Sequence, residues 1–396
     1  MIPLPEAQQF VWSLAERLPS VRLPLREAAG LVLAEPIVAT ESVPPFANTA
    51  MDGFALRSTD AVAGARLRVI GTVAAGSVFE GTVGDGEAVR IMTGAPMPVG
   101  ADAVVIVERT RIEGDDVVVE VDASPGQHVR PAGDDIKPGD EVLQPGVVLN
   151  PGVLGVLATL GRSEVSVIRR PKVGVMSTGD ELVADGAPLG PGQIRDSNRL
   201  AVGAAAAAAG AEVVDLGLVR DDESAIEDAL RSGAECCDLV LSSGGVSMGD
   251  FDWVKVVLDR IGNMRWMQVA IRPAKPLAAG RVGHAAVVGL PGNPVSSLVS
   301  FELFARPLIR RFAGHSRLER PRILATVMDP LPEPPPGVTS FVRVRLTQAD
   351  DLSWSATSAG AQGSHHTAAM AAAGGLAVLT GGGVEVGGRV PVIAFD

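Results

Sequence analysis

Three loops carry residue types able to handle a phosphorylated ligand and a metal ion. The richest is Ser242-Ser243-Gly244-Gly245-Val246-Ser247-Met248-Gly249-Asp250, between an apolar run at 239–241 and a helix expected from near Phe251. Its glycines and serines offer backbone N–H groups and hydroxyls where a helix dipole favours an anion. No Gly-Lys-Ser/Thr follows them, so ordinary nucleoside triphosphate hydrolysis is not implied. A plain strand-to-helix turn capped by its serines accounts for the same residues equally well. The other two loops are Ser177-Thr178-Gly179-Asp180-Glu181, after 173–176, and Pro291-Gly292-Asn293-Pro294-Val295-Ser296-Ser297, after 287–290.

Carboxylates recur at loop ends: Asp180 and Glu181, Asp221 and Asp222, Asp250 and Asp252. Acids beside a phosphate repel it unless a hard cation such as Mg²⁺ lies between them. Taken singly, each acid is better read as a helix cap, by about two to one; their repetition along one sheet edge raises the metal reading. Ile271-Arg272-Pro273-Ala274-Lys275-Pro276 sets two cations on a proline-stiffened backbone, which suits an oxyanion, although a solvated pair is the plainer reading. Asp52 lies in a long loop, residues 44–55, and composition alone gives it no role. His365-His366 lacks metal-ligand spacing, and no Gly-x-Ser-x-Gly elbow is present. The adjacent Cys236 and Cys237 read as buried thiols rather than nucleophiles.

The elements that must position these loops follow from periodicity. From residue 172 onward, apolar runs at 173–176, 212–216, 239–241 and 286–290 alternate with helical stretches, which predicts parallel βαβ units. Ligands bind beyond the C-terminal ends of such strands, where the three loops lie. Helix starts are expected at Asp196-Ser197, at Asp221-Asp222, and at Asn293 with Pro294 as the first helical residue. Upstream, residues 5–18 show a helical stripe, 42–137 break into short β-like runs between turns, and 138–168 hold a second helical candidate that could return onto the first helix. After residue 320 the chain turns Pro-rich, with short alternating runs such as 341–346 and 384–393, which predicts a small β domain.

Composition narrows the function classes. The 396 residues suggest two to four domains, and 34 basic against 46 acidic residues give a net charge of −12, against a general nucleic-acid or anionic-membrane binder. Two adjacent cysteines offer no disulfide framework and point to a reducing compartment, read as the cytoplasm. No export signal is apparent near the N-terminus, and Pro-Gly turns interrupt the longest uncharged stretch, so no membrane span is expected.

Together these segments resemble the molybdopterin molybdenumtransferase family, the MoeA and gephyrin E-domain group. The resemblance rests on residues 44–55, Met92-Thr93-Gly94-Ala95-Pro96, Gly133-Asp134-Asp135-Ile136, 177–181, 242–249, 272–276, 290–296 and Gly363-Ser364-His365, in family order. It implies a multidomain α/β plus β fold: an N-terminal helical and linker domain (1–41 and 138–168), an inserted β-rich domain (42–137), a central α/β molybdopterin-binding domain (169–314) and a C-terminal small β-barrel (315–396). It also implies a homodimer, in which the inserted domain of one subunit faces the α/β domain of the other, and a Mg²⁺-assisted conversion of adenylylated molybdopterin and molybdate to molybdenum cofactor and AMP.

Carried over residue by residue, the resemblance implies that Ser243, Gly244, Gly245 and Ser247 hold phosphate, with Pro291 and Pro294 beside them. Asp221 and Asp252 would bind the cation. Asp52 and Glu181 would act in catalysis with Thr93 and Asp135 as further cleft residues, and Arg272, Lys275, Ser296, Arg343 and Ser364 would hold molybdate. Arg272 stands where lysine is common in the family, Ala274 replaces the usual glycine, and Gln268 occupies a position that can be lysine. Two rival readings are the related pterin adenylyltransferase, which needs neither the inserted nor the C-terminal β domain, and a receptor-clustering scaffold, which needs no acids.

Overall fold

The computed structural model describes residues 1–184, 186–245 and 253–395. The chain divides into two compact units, one made of residues 1–22, 30–32 and 166–396 and the other of residues 23–29 and 33–165.

The first unit is built on a six-stranded sheet in the order Glu212–Val219, Lys172–Thr178, Leu239–Ser243, Ala285–Leu290, Pro276–Val282, Asn263–Gln268. The first four strands are parallel, as the alternating pattern predicts. The last two are antiparallel, because a tight hairpin at Gly283 returns Pro276–Val282 onto Ala285–Leu290 without a crossover helix. Helices Asn198–Ala208, Glu223–Cys236 and Trp253–Ile261 pack with this sheet. The central strands read as apolar runs because they are covered on both faces: Val173, Leu239, Leu241 and Val288 enter one core, and Met176, Val240 and Val287 another.

Capping decides which acid is left for chemistry. Asp222 accepts a hydrogen bond from the Ala225 amide at 3.0 Å and so caps Glu223–Cys236, which leaves Asp221 unused by the helix. Asp196 performs the same service for Asn198–Ala208 through the Arg199 amide at 3.1 Å, whereas Ser197, at the cap position, makes no side-chain bond. Helix Pro294–Ser300 begins at Pro294 as expected, although Asn293 caps it without using its side chain. The helix runs through a π segment, Phe301–Ala305, into Arg306–Phe312.

The first helix, Leu4–Trp12, packs onto the α/β core. Its inward residues Ala7 and Val11 are fully buried with Phe304, Leu308 and Phe312 in the α/β core, so this helix belongs to the first unit, whereas residues 138–165 belong to the second. Burying Val11 is worth about 1.5–3 kcal/mol, and the 301–312 segment offers an apolar face to receive it.

The C-terminal strands close into a five-stranded barrel. Thr339–Gln348 pairs with Trp354–Ser358, then Arg322–Val327, Arg389–Ala394 and Gly375–Leu379 follow, and the last returns to Thr339–Gln348. The short strand Ile271–Arg272 adds on beside Thr339–Gln348 in parallel.

The second unit contains a six-stranded sheet ordered Ala103–Ile106, Gly53–Leu56, Glu87–Ile91, Arg66–Val73, Asp116–Val119, Thr110–Glu113, together with helix Pro151–Thr159. Its two faces bury separate apolar cores, around Phe54 and Leu56 on one side and Ala55 and Ile91 on the other.

Candidate active site

A cavity of about 860 Å³ opens beyond the carboxyl ends of the parallel strands. Each of the three sequence-identified loops contributes to its wall. Glu181 and Asp221 stand on one side, Ser243, Gly244 and Gly245 at the end of the central strand, and Pro291 and Pro294 at the start of the next helix. These seven of the expected site residues are therefore brought together.

The acidic side is electrostatically unsettled. The Asp221 amide donates to the Asp180 carboxylate at 3.2 Å, and partial burial, with the like charges of Asp180 and Glu181, raises the Asp221 pKa above the usual carboxylate value. No ion pair to a cation settles any of the three acids among the described residues. Glu181 folds back over Gly179, where a side chain would come within 2.5 Å of its carboxylate. Such mutual repulsion is what a divalent cation relieves, so the donor chemistry fits Mg²⁺, although no group of three ligating side chains is already arranged for a metal among the described residues. The second expected metal ligand, Asp252, lies outside the described residues, as do Ser247 and Asp250.

The glycine loop is built for close approach. Gly244 and Gly245 both have positive φ, and a Cβ on Gly245 would sit 2.3 Å from the Val254 side chain. Asn198, which the sequence reading had not singled out, ties the site together: its Nδ2 donates to Ser243 Oγ at 2.8 Å and to the Gly292 carbonyl at 2.7 Å. One amide thereby links the loops after two neighbouring strands. Its sequence signal is the polar run Asp196-Ser197-Asn198 at a helix start, which capping alone already explains.

The expected oxyanion residues lie around, not in, the lining of this cavity. Arg343 is fully buried; its Nη2 donates to the Ala361 and Gly363 carbonyls at 2.7 and 3.1 Å, while Nε and Nη1 have no partner. Burial pushes its pKa down. Gln362 holds the strand carrying Arg343 by accepting from its amide at 2.9 Å and donating to its carbonyl at 3.0 Å. The neighbouring Ser364 carbonyl accepts from the Val295 amide, next to the buried Ser296, and His365 reaches the cavity wall. Arg272 and Lys275 are exposed on the segment beside the barrel strand. Between them Ala274 adopts φ +76°, a backbone state that glycine occupies without strain and alanine does not.

In the second unit Asp52 Oδ1 accepts from the Thr93 amide at 2.6 Å and from its hydroxyl at 2.7 Å. The hydroxyl, then the amide, holds the Asp52 pKa below the usual value. Asp135 is exposed, its amide bonded to the Val43 carbonyl.

Comparison with known proteins agrees with this geometry. The family description "MoeA N-terminal region (domain I and II)" matches residues 2–161, "Probable molybdopterin binding domain" matches 174–311, and "MoeA C-terminal region (domain IV)" matches 325–395. A Haemophilus influenzae protein named molybdopterin molybdenumtransferase is 39% identical over 377 residues, 94% of this chain and 93% of its own. The chain belongs to the molybdopterin molybdenumtransferase family. A second relative, molybdopterin molybdenumtransferase 2 of Mycobacterium tuberculosis, is 38% identical and covers 99% of this chain and 98% of its own. Among solved structures, a molybdopterin biosynthesis MoeA protein from Pyrococcus horikoshii OT3 superposes with a TM-score of 0.86 at 28% identity, covering 100% of both chains. That full-length agreement distinguishes the molybdenumtransferase family from a lone α/β domain and so disfavours the adenylyltransferase rival. No helix among the described residues is long and apolar enough to cross a membrane.

Proposed function

We propose that this chain inserts molybdenum from molybdate into adenylylated molybdopterin and releases AMP, as a step of molybdenum cofactor biosynthesis. The observation that carries the reading is the single cavity that joins unneutralised acids to an amide- and hydroxyl-lined loop. Acids beside an anion-binding loop make sense when the ligand is a phosphoanhydride and a cation is shared between them.

In this reading the Gly244-Gly245 amides and Ser243 orient the phosphate of the adenylylated pterin, with Asn198 fixing the loop. Asp221, with Asp252, would hold Mg²⁺, which when bound supplies charge neutralisation at the anhydride. Glu181 keeps its carboxylate close to that position. Arg343, buried outside the cavity lining with Nε and Nη1 unpartnered, would serve the tetrahedral oxyanion together with Arg272, Lys275, Ser296 and Ser364, the cationic and hydroxyl-bearing set around the cavity. Asp52, Thr93 and Asp135 serve the same reaction in a homodimer, and a cytoplasmic location belongs to the same proposal.

The test is incubation with adenylylated molybdopterin, Mg²⁺ and molybdate, followed by detection of AMP. Molybdate-dependent release is expected; none at all removes the assignment, and release that persists in Asp252→Ala removes that residue's metal role. Sedimentation of the purified chain tests the dimer.

A further inference from the structure

A second cavity, of about 530 Å³, lies at the opposite edge of the central sheet, where the strands begin. Its wall carries two arginines and a histidine from two separate segments: Arg17 after the first helix, and Arg281 and His284 on the hairpin between two strands. None of the three makes an ion pair among the described residues, in a chain of net charge −12. Arg281 is held in place without being neutralised, its Nη1 on the His284 carbonyl at 2.9 Å and its Nη2 on the Leu14 carbonyl at 2.5 Å.

Two acids share the wall. Asp238 is committed elsewhere: Arg169 grips it with a two-pronged contact at 2.6 and 2.7 Å, and the Lys172 amide donates to it at 2.8 Å. Burial alone would raise the Asp238 pKa; the Arg169 fork, that amide and, last, the nearby His284 outweigh it and hold the group below the usual range, with Arg169 as its main partner. Glu16 is exposed and forms no ion pair with Arg17, Arg281 or His284 among the described residues. Phe312, nearly buried, and Leu18 give the same cavity an apolar side.

We propose that this cavity is a second small-molecule site, which takes a phosphate monoester with an apolar or aromatic body. Arg281 and Arg17 meet the dianion, His284 adds a further donor, and the organic part lies against Phe312. A volume near 530 Å³ is of the size that small ligands fill. The two cavities are joined by one strand: five residues separate Asp238 from Ser243, about 17 Å at ~3.3 Å per residue.

The probe is phenyl phosphate, titrated into the whole chain and followed by the ring signals of its five histidines, assigned with His284→Gln and His365→Gln. A saturable shift of the His284 signal, tighter than that produced by inorganic phosphate, is expected, with affinity falling about tenfold in Arg17→Ala and in Arg281→Lys. Movement confined to His365 and His366 would place the probe in the first cavity and overturn the proposal. So would an affinity unchanged in both arginine variants. Arg17 is exposed and its side chain makes no hydrogen bond or ion pair among the described residues, which keeps the test valid even if Arg281→Lys unfolds. Because no turnover is measured, the result stands apart from the molybdenum-transfer reading.

Discussion

At the residue scale, the strongest consequence belongs to Asp221. A carboxyl whose folded pKa is raised favours the folded state below its unfolded pKa, and that contribution is lost as pH rises through the folded value. Wherever Asp221 is ionised, it therefore costs stability. Asp221→Asn is expected to abolish AMP release, by at least about a hundredfold, while thermal unfolding at pH 7 occurs at an equal or higher temperature; the two proteins should converge near pH 3. Lys275 is exposed and its proposed work is ground-state capture of an oxyanion. Lys275→Ala should raise the molybdate concentration for half-maximal rate, about tenfold, with the saturated rate nearly kept. The cysteines give a test free of turnover. The Cys237 thiol is buried, and burial, then Cys236, pushes its pKa up to about 12. Iodoacetamide at pH 8, read by peptide mass, should therefore label the exposed Cys236 and spare Cys237 until the protein unfolds.

At the scale of elements, the glycine loop is a geometric necessity rather than a flexible convenience. Gly245→Ala would meet Val254 and strain a positive φ, so it should destabilise the fold by about 2 kcal/mol or more, measured by urea unfolding. Much of this architecture was legible in the order of residues. Apolar runs beginning at 173, 239 and 286 announced strands buried on both faces, and the loops after them announced the cavity. What was hidden depended on contacts distant in sequence. Antiparallel Asn263–Gln268 reads like any mixed strand until Pro276–Val282 lies beside it, with Gly280 giving the close approach. The destination of Leu4–Trp12 was equally obscure, since its stripe says only that it buries a face, not against what. Asn198 escaped because an asparagine next to a cap looks like part of the cap. Asp221 and Asp222 could not be separated by composition either; only the bond from Ala225 tells which one the helix consumes.

For the whole molecule, the division into two compact units, each with its own cores, predicts that heating does not produce a single two-state transition. Scanning calorimetry should give a van't Hoff enthalpy clearly below the calorimetric one; equality of the two would mean the units melt as one. The closed barrel carries another implication. Because Thr339–Gln348 is hydrogen-bonded to neighbours on both flanks and the ring returns to it through Gly375–Leu379, that part of the chain presents little raw margin for another polypeptide to extend. The vulnerable rims belong instead to the two open six-stranded sheets, at Glu212–Val219 and Asn263–Gln268 in one and at Ala103–Ile106 and Thr110–Glu113 in the other. In a crowded, partly heated sample, fibrous self-association should therefore start from those rims, while the barrel is the last place to recruit a stray copy.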